Sequence, residues 1–191
     1  MKSKIKYIVL IVFLVAFAFT FTSAVAYWST ELDTTNIVVE VSDVDASLIV
    51  DDNNEEFTGY LVPEGYAFFV GEVTEVVFTY EVSLDKELIN IQSLVVEKLE
   101  VTIGGETTYA HLVEVTIGDE IDIKEYDLYN DIVTVIVRVR LIEPIDSEEA
   151  LEKGISLDRV NVEDSLGAYE SIKGQQINIK IGFRFETRTI N

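Results

Sequence analysis

The sequence predicts an all-β protein, an antiparallel two-sheet sandwich of jelly-roll type with one short helix in an insert. Three observations predict it: strict apolar alternation recurs along the chain, turn signals separate the alternating rows, and no long helical periodicity occurs. The chain has 191 residues, 48% of them hydrophobic, which is enough to bury one core. No repeat of fixed period, proline-rich linker or low-complexity tract supports a second domain. The expected organisation is a leader at 1–26, an exposed segment at 27–36, and a single domain over 37–191.

Residues 1–26 precede the fold. Lys2, Lys4 and Lys6 lead into an apolar run from Tyr7 to Phe21 broken only by Thr20, and Thr22-Ser23-Ala24-Val25-Ala26 follows. A basic end, an apolar middle and small residues two apart are the parts of a signal peptide, so cleavage is expected after Ala26, with Tyr27 opening the exported chain. The competing reading is a retained anchor. No charge occurs between Lys6 and Glu31, and about 20 apolar residues span a bilayer core of about 30 Å. On both readings the rest of the chain is secreted, extracellular or at the cell surface. Signal peptidase is then a partner during export, and the leader is the only part that meets a membrane.

The strands follow in order. Ile37, Val39 and Val41, then Ala46, Leu48 and Val50, read as two short strands separated by Ser42-Asp43-Val44-Asp45, with an acidic tip at 51–56. Val76, Phe78, Tyr80 and Val82 alternate with Thr79, Glu81 and Ser83, as a strand with one wet face requires. The stretch 84–98 is ambiguous, because Leu88, Ile91 and Val95 fit a helical face as well as a broken strand. Leu99, Val101 and Ile103 run into Gly104-Gly105, and an extended pattern resumes at Thr107, which signals a direct hairpin. Val113, Val115 and Ile117 reach Gly118-Asp119. Val133, Val135, Val137, Val139 and Leu141 form another row, and Ile177, Ile179, Ile181, Phe183 and Phe185 the clearest one. Between these two rows Asp146, Glu149 and Gly154 bracket a helix over Ser147 to Lys153, as N-cap, capping-box partner and C-terminal glycine.

Charge narrows the partners. With 14 Lys+Arg against 35 Asp+Glu the formal net charge is −21. Such a chain repels phosphate and offers no basic stripe, so nucleic acid is excluded as a partner. Removing residues 1–26 takes away three lysines and no acid, which strengthens the preference for cations. The absence of cysteine removes disulfides, thiolate metal sites and cysteine nucleophiles together.

Three stretches resemble the TasA/camelysin (CalY) family of secreted, fibre-forming biofilm-matrix proteins. Ala24-Val25-Ala26-Tyr27-Trp28-Ser29-Thr30-Glu31 is similar to that family's cleavage junction. Leu61-Val62-Pro63-Glu64-Gly65 followed by Val76-Val77-Phe78-Thr79-Tyr80-Glu81-Val82 resembles its proline-glycine turn and the apolar strand after it, here with Glu64 between proline and glycine. The run from Gly174 to Arg188 resembles its last strand, with Glu186-Thr187-Arg188 in place of Ala-Thr-Gln. The resemblance implies a jelly-roll subunit that polymerises head to tail with copies of itself, its mature N-terminal segment inserting as a strand into the next subunit. Tyr27, Trp28, Leu32 and Ile37 are the expected donor residues. A polar, weakly patterned segment leaves its own domain cheaply, and backbone hydrogen bonds to a sheet edge supply affinity. Contacts of that kind do not close, so they build filaments. The bland alternative is an ordinary frayed terminus.

No catalytic residue is expected. His111 is the only histidine, so the His-x-x-x-His zinc pair of a metallopeptidase, a label part of the resembled family has carried, cannot form. No Gly-x-Ser-x-Gly elbow occurs either. The acids are the better candidates: Asp43, Asp45, Asp51 and Asp52 with Glu55 and Glu56, and Asp119 and Asp122 with Glu125 and Asp127 in an expected loop. Hard oxygen ligands suit Ca²⁺, the one cofactor the sequence suggests, although the spacing is no EF-hand and solvated loops carry the same residues. Tyr60, Tyr66, Phe68 and Phe69 could stack on a sugar. Phe68 and Phe69 would occupy opposite faces of a strand, so at least one is expected in the core. A monomeric Ca-stabilised surface adhesin or glycan-binding module is therefore the alternative to a fibre subunit.

Overall fold

The computed structural model describes residues 30–40, 48–52, 59–85, 92–128 and 131–187, the first of these stretches as backbone. It is all-β, with two sheets. One has six strands in the order β4-β3-β1-β11-β6-β9, the other five in the order β2-β5-β10-β7-β8. The strands are β1 (Thr30–Glu40), β2 (Leu48–Asp52), β3 (Tyr60–Leu61), β4 (Glu72–Val73), β5 (Val76–Leu84), β6 (Gln92–Ile103), β7 (Val113–Ile117), β8 (Glu120–Ile121), β9 (Ile123–Leu128), β10 (Val133–Leu141) and β11 (Gln176–Thr187).

Alternation decides what is buried. Val76, Phe78, Tyr80 and Val82 of β5, Val135, Val137, Val139 and Leu141 of β10, and Ile177, Ile179, Ile181, Phe183 and Phe185 of β11 belong to one buried cluster that draws on both sheets. Tyr80 meets Phe183 edge-on across it, ring centroids 5.4 Å apart at 68°. Burial pushes the Tyr80 hydroxyl up to about 12, and the nearby Asp52 charge adds to this.

Several expectations are corrected. The six-stranded sheet is mixed: β1 runs parallel to β11, and β3 parallel to β4. Parallel neighbours need a crossover, and here nearly the whole domain lies between β1 and β11. The first strand begins at Thr30, ahead of the expected Ile37. Residues 92–98 of the ambiguous stretch open β6, where Ser93, Leu94, Val95 and Val96 are all buried, so no alternation marks the strand; its register with β11 then shifts at Lys180/Ile181. Gly104 and Gly105, at φ 61° and 84°, do make a tight turn, closed by a bridge between Ile103 and Glu106. No hairpin follows it: the chain passes through a 3-10 turn at Ala110–Leu112 into the other sheet, where β7 pairs with β10.

The helix Ser147–Lys153 (α1) starts on Asp146, whose carboxylate accepts from the Glu149 N–H at 2.8 Å, and ends on Gly154 in the left-handed region. A second helix, Ser165–Ile172 (α2), was not expected; its N-cap Asp164 accepts from the Gly167 N–H. Gly167 and the serines at 165 and 171 weaken its intrinsic propensity, and packing of Ala168, Tyr169 and Ile172 holds it instead. The two helices share Asp146, which also accepts from the Ser165 N–H at 2.9 Å. These backbone donors hold its carboxyl down at about 2. A carboxyl depressed in the fold stabilises above its ordinary pKa of about 3.9 and loses that contribution as pH falls towards 2. Asp146→Ala should accordingly lower the melting temperature at pH 7, with the gap to the parent closing between pH 4 and 2 in a thermal-melt series.

Candidate functional site

Strand β1 is held unequally on its two sides. Along β11 it pairs from Glu31↔Gln176 to Glu40↔Arg184, with one irregularity between Asp33 and Asn36. On the other side only Thr30↔Leu61 and Glu31↔Tyr60 pair it to β3. Of the expected donor residues, Leu32 stands in register with Ile177 and Ile37 with Ile181, both members of the buried row of β11. Tyr27 and Trp28 lie outside the described residues. Next to β1, strand β11 is itself paired along its length to β6. A strand that left this seat would therefore uncover the edge of a long, fixed strand.

The turn between β3 and β4 corrects the reading of the aromatics. Phe68 and Phe69 are both exposed, at 63% and 47%, beside a fully exposed Val70. They fail to alternate because they sit in a turn, where Glu72 folds its carboxylate back to accept from the N–H groups of both, at 2.9 and 3.0 Å. Tyr60 is half exposed next to them, and its N–H donates to the Gly71 carbonyl. Tyr66 goes elsewhere, donating its hydroxyl to Glu143 at 2.7 Å.

Beyond Leu61 the chain enters the wall of a cavity of about 480 Å³. Pro63, Glu64, Glu75, Glu114, Arg140, Glu143 and Arg159 are among the residues that line it. Arg140 is committed to Glu75 at 2.6 Å. Glu143 takes Lys153 at 3.1 Å as well as Tyr66, while Lys153 also bridges to Glu149 at 2.6 Å. Those carboxylates raise the Lys153 pKa, Glu149 most strongly, and burial raises that of Tyr169, which stands over Glu143 at 3.4 Å. No sequence signal marks this network, since Tyr66, Glu143 and Tyr169 come from three separate parts of the chain.

Of the acids expected to hold Ca²⁺, Asp51, Asp52, Asp119, Asp122, Glu125 and Asp127 lie among the described residues. Asp119 pairs with Lys124 and Asp122 with Lys98, so each already faces a cation of the protein. The segment expected as a loop is instead β8 and β9, in which Glu125 accepts from Ser93 at 2.5 Å. Asp51 and Asp52 are exposed on β2, Asp51 in register with Glu81. Asp43 and Asp45 lie outside the described residues. Among the described residues no group of three or more His, Cys, Asp or Glu side chains is arranged to hold a metal ion. His111 is exposed in the 3-10 turn, its Nε2 2.9 Å from the Asn161 carbonyl oxygen, which makes that nitrogen the protonated one.

No helix among the described residues is long and apolar enough to cross a membrane. No family model, curated protein or solved structure matches this chain.

Proposed function

We propose that this chain is a secreted structural subunit of the TasA/camelysin type, a jelly-roll sandwich that assembles into extracellular or cell-surface fibres by donating its N-terminal strand. It works by assembly and uses no catalytic residue. The observation that carries the reading is the seat of β1: the first strand is bonded along its length to β11 alone and clasped by β3 at only two residues. A neighbouring copy offers β11 the same backbone groups in the same register, so exchange conserves the hydrogen bonds while joining two molecules. Excess negative charge opposes the approach of two copies and makes assembly sensitive to salt and pH.

Negative-stain electron microscopy of the exported protein, at high concentration with and without Ca²⁺ at pH 5 and pH 7, tests this. Filaments with a regular subunit repeat are expected, forming faster at pH 5 or with Ca²⁺. A second reading, a monomeric surface module for glycan or protein, draws on the exposed turn of Phe68, Phe69 and Val70. Monodisperse particles under all four conditions would favour it over the fibre.

A further inference from the structure

We propose that the extra residue in β1 at Thr34–Thr35 divides the strand's seat into two ladders that open separately, and that the half-open strand is the state from which exchange between copies starts. The proposal rests on the strand-donation reading and adds to it the place where the strand yields.

The division lies in the register. Asp33 faces Asn178 and Asn36 faces Lys180, three steps along β1 for two along β11, so Thr34 and Thr35 together oppose Ile179. Bulges are rare in parallel pairs, and each leaves a residue unpaired and the ladder interrupted. What remains is a ladder of three pairs, Glu31 to Asp33, and one of five, Asn36 to Glu40. The extra residue corrects a phase error in the sequence. Leu32 and Ile37 are separated by an odd number of residues, so an unbroken strand would set them on opposite faces. Aligned by its first ladder alone, β1 would bring Ile37 against Gly182; the bulge brings it against Ile181 of the buried row.

The seat itself has no such break. β11 alternates strictly through Ile177, Ile179, Ile181, Phe183 and Phe185, all buried, and on its far side it is paired to β6 from Ile177↔Ile103 to Thr187↔Gln92. β6 carries an extra residue of its own at nearly the same level, Leu99, but that one is buttressed. The Lys98 N–H donates to the Asp122 carbonyl at 2.7 Å, and the Leu99 side chain fills the space where a Cβ on Gly182 would stand. So β11 stays fixed to β6 while its other tenant is in two parts. Local opening follows cooperative units, and the bulge makes two of one. Release of Glu31–Asp33 gives up three pairs with β11 and the clasp to β3, and it leaves Asn36–Glu40 in place. Gln176 to Asn178 of β11 are then free to take the same residues of a second copy, whose second ladder displaces the resident one pair after another.

Removing Thr35 is the test, because it takes out the extra residue and leaves both ladders with the partners they have. In the parent monomer, hydrogen exchange followed by NMR should show the amides of 31–33 opening about tenfold faster than those of 37–40. In the deletion variant the two rates should merge, and filaments should form about tenfold more slowly than from the parent. An ordinary frayed end would keep 31–33 the faster stretch in both proteins. Equal rates in the parent, separate rates that survive the deletion, or filaments growing from the variant at the parent's rate sink the proposal. If circular dichroism shows that the deletion unfolds the domain, a glycine inserted after Thr34 decides in the opposite sense. It lengthens the break, keeps both ladders, and should speed both the opening of 31–33 and filament growth; no change in either overturns the proposal. The exchange measurement needs no filaments. Rates that differ in the parent and merge in the variant, with no filaments from either, defeat only the fibre reading, whereas filaments from a parent with a single exchange rate defeat only this one.

Discussion

Cysteines placed at Asn36 and Lys180 will abolish filament formation when oxidised, leave the monomer folded, and restore filaments when reduced. The two positions are Cα partners in the parallel pairing of β1 with β11. Neighbouring strands lie about 4.8 Å apart, inside the span of about 4.4–6.8 Å that a disulfide bridges between Cα atoms. The protein has no cysteine of its own, so the added pair has no competing thiol. Locking β1 to its own β11 preserves every backbone hydrogen bond of the monomer and removes only the freedom to exchange. The expected effect on assembly is therefore complete and reversible, and electron microscopy with and without reductant reads it. Filaments of unchanged repeat from the fully oxidised protein would mean that copies join through another surface.

The largest loss of stability is expected from Phe183→Ala. Phe183 is fully buried, in register with Val96 of β6 and Val39 of β1, and its ring meets Tyr80 of the other sheet. Truncation removes the apolar transfer energy of the ring, leaves a cavity between the sheets, and loses an edge-to-face aromatic contact. Phe→Ala changes of this kind cost about 3–5 kcal/mol. For a domain of this size that lowers the melting temperature by about 10 °C. Urea denaturation should show the midpoint falling while the slope is unchanged. A cost below about 1 kcal/mol would mean that the two sheets close up without this ring.

Period-2 patterning made β5, β10 and β11 readable, because each buries one row of side chains and leaves the other wet, and the helix at Ser147 was readable because its caps are local. The errors share a cause. Gly104-Gly105 specifies a turn, but whether the next strand pairs with the previous one depends on β10, which lies 30 residues further along the chain. The aromatic turn was misread because the carboxylate of Glu72, which holds Phe68 and Phe69 out of any strand, is invisible to alternation. The acids at 119 and 122 looked like cation ligands because the sequence does not say that Lys124 and Lys98 come to meet them. The seat of β1 was not legible: alternation marked a strand at Ile37, but neither its start at Thr30 nor its parallel partner at the other end of the chain could be read.

That partnership sets the order of events in time. Because β1 is bonded along its length only to β11, the earliest described strand waits for the last, and their contact spans almost the longest sequence separation among the described residues. Contacts of such long range form slowly, since most of the chain must be confined before they are rewarded. During that interval β1 is chemically identical to the β1 of every other copy nearby. Under the proposed assembly, the competition between pairing at home and pairing abroad is decided by local concentration and by folding rate, and filaments would start where copies are most crowded.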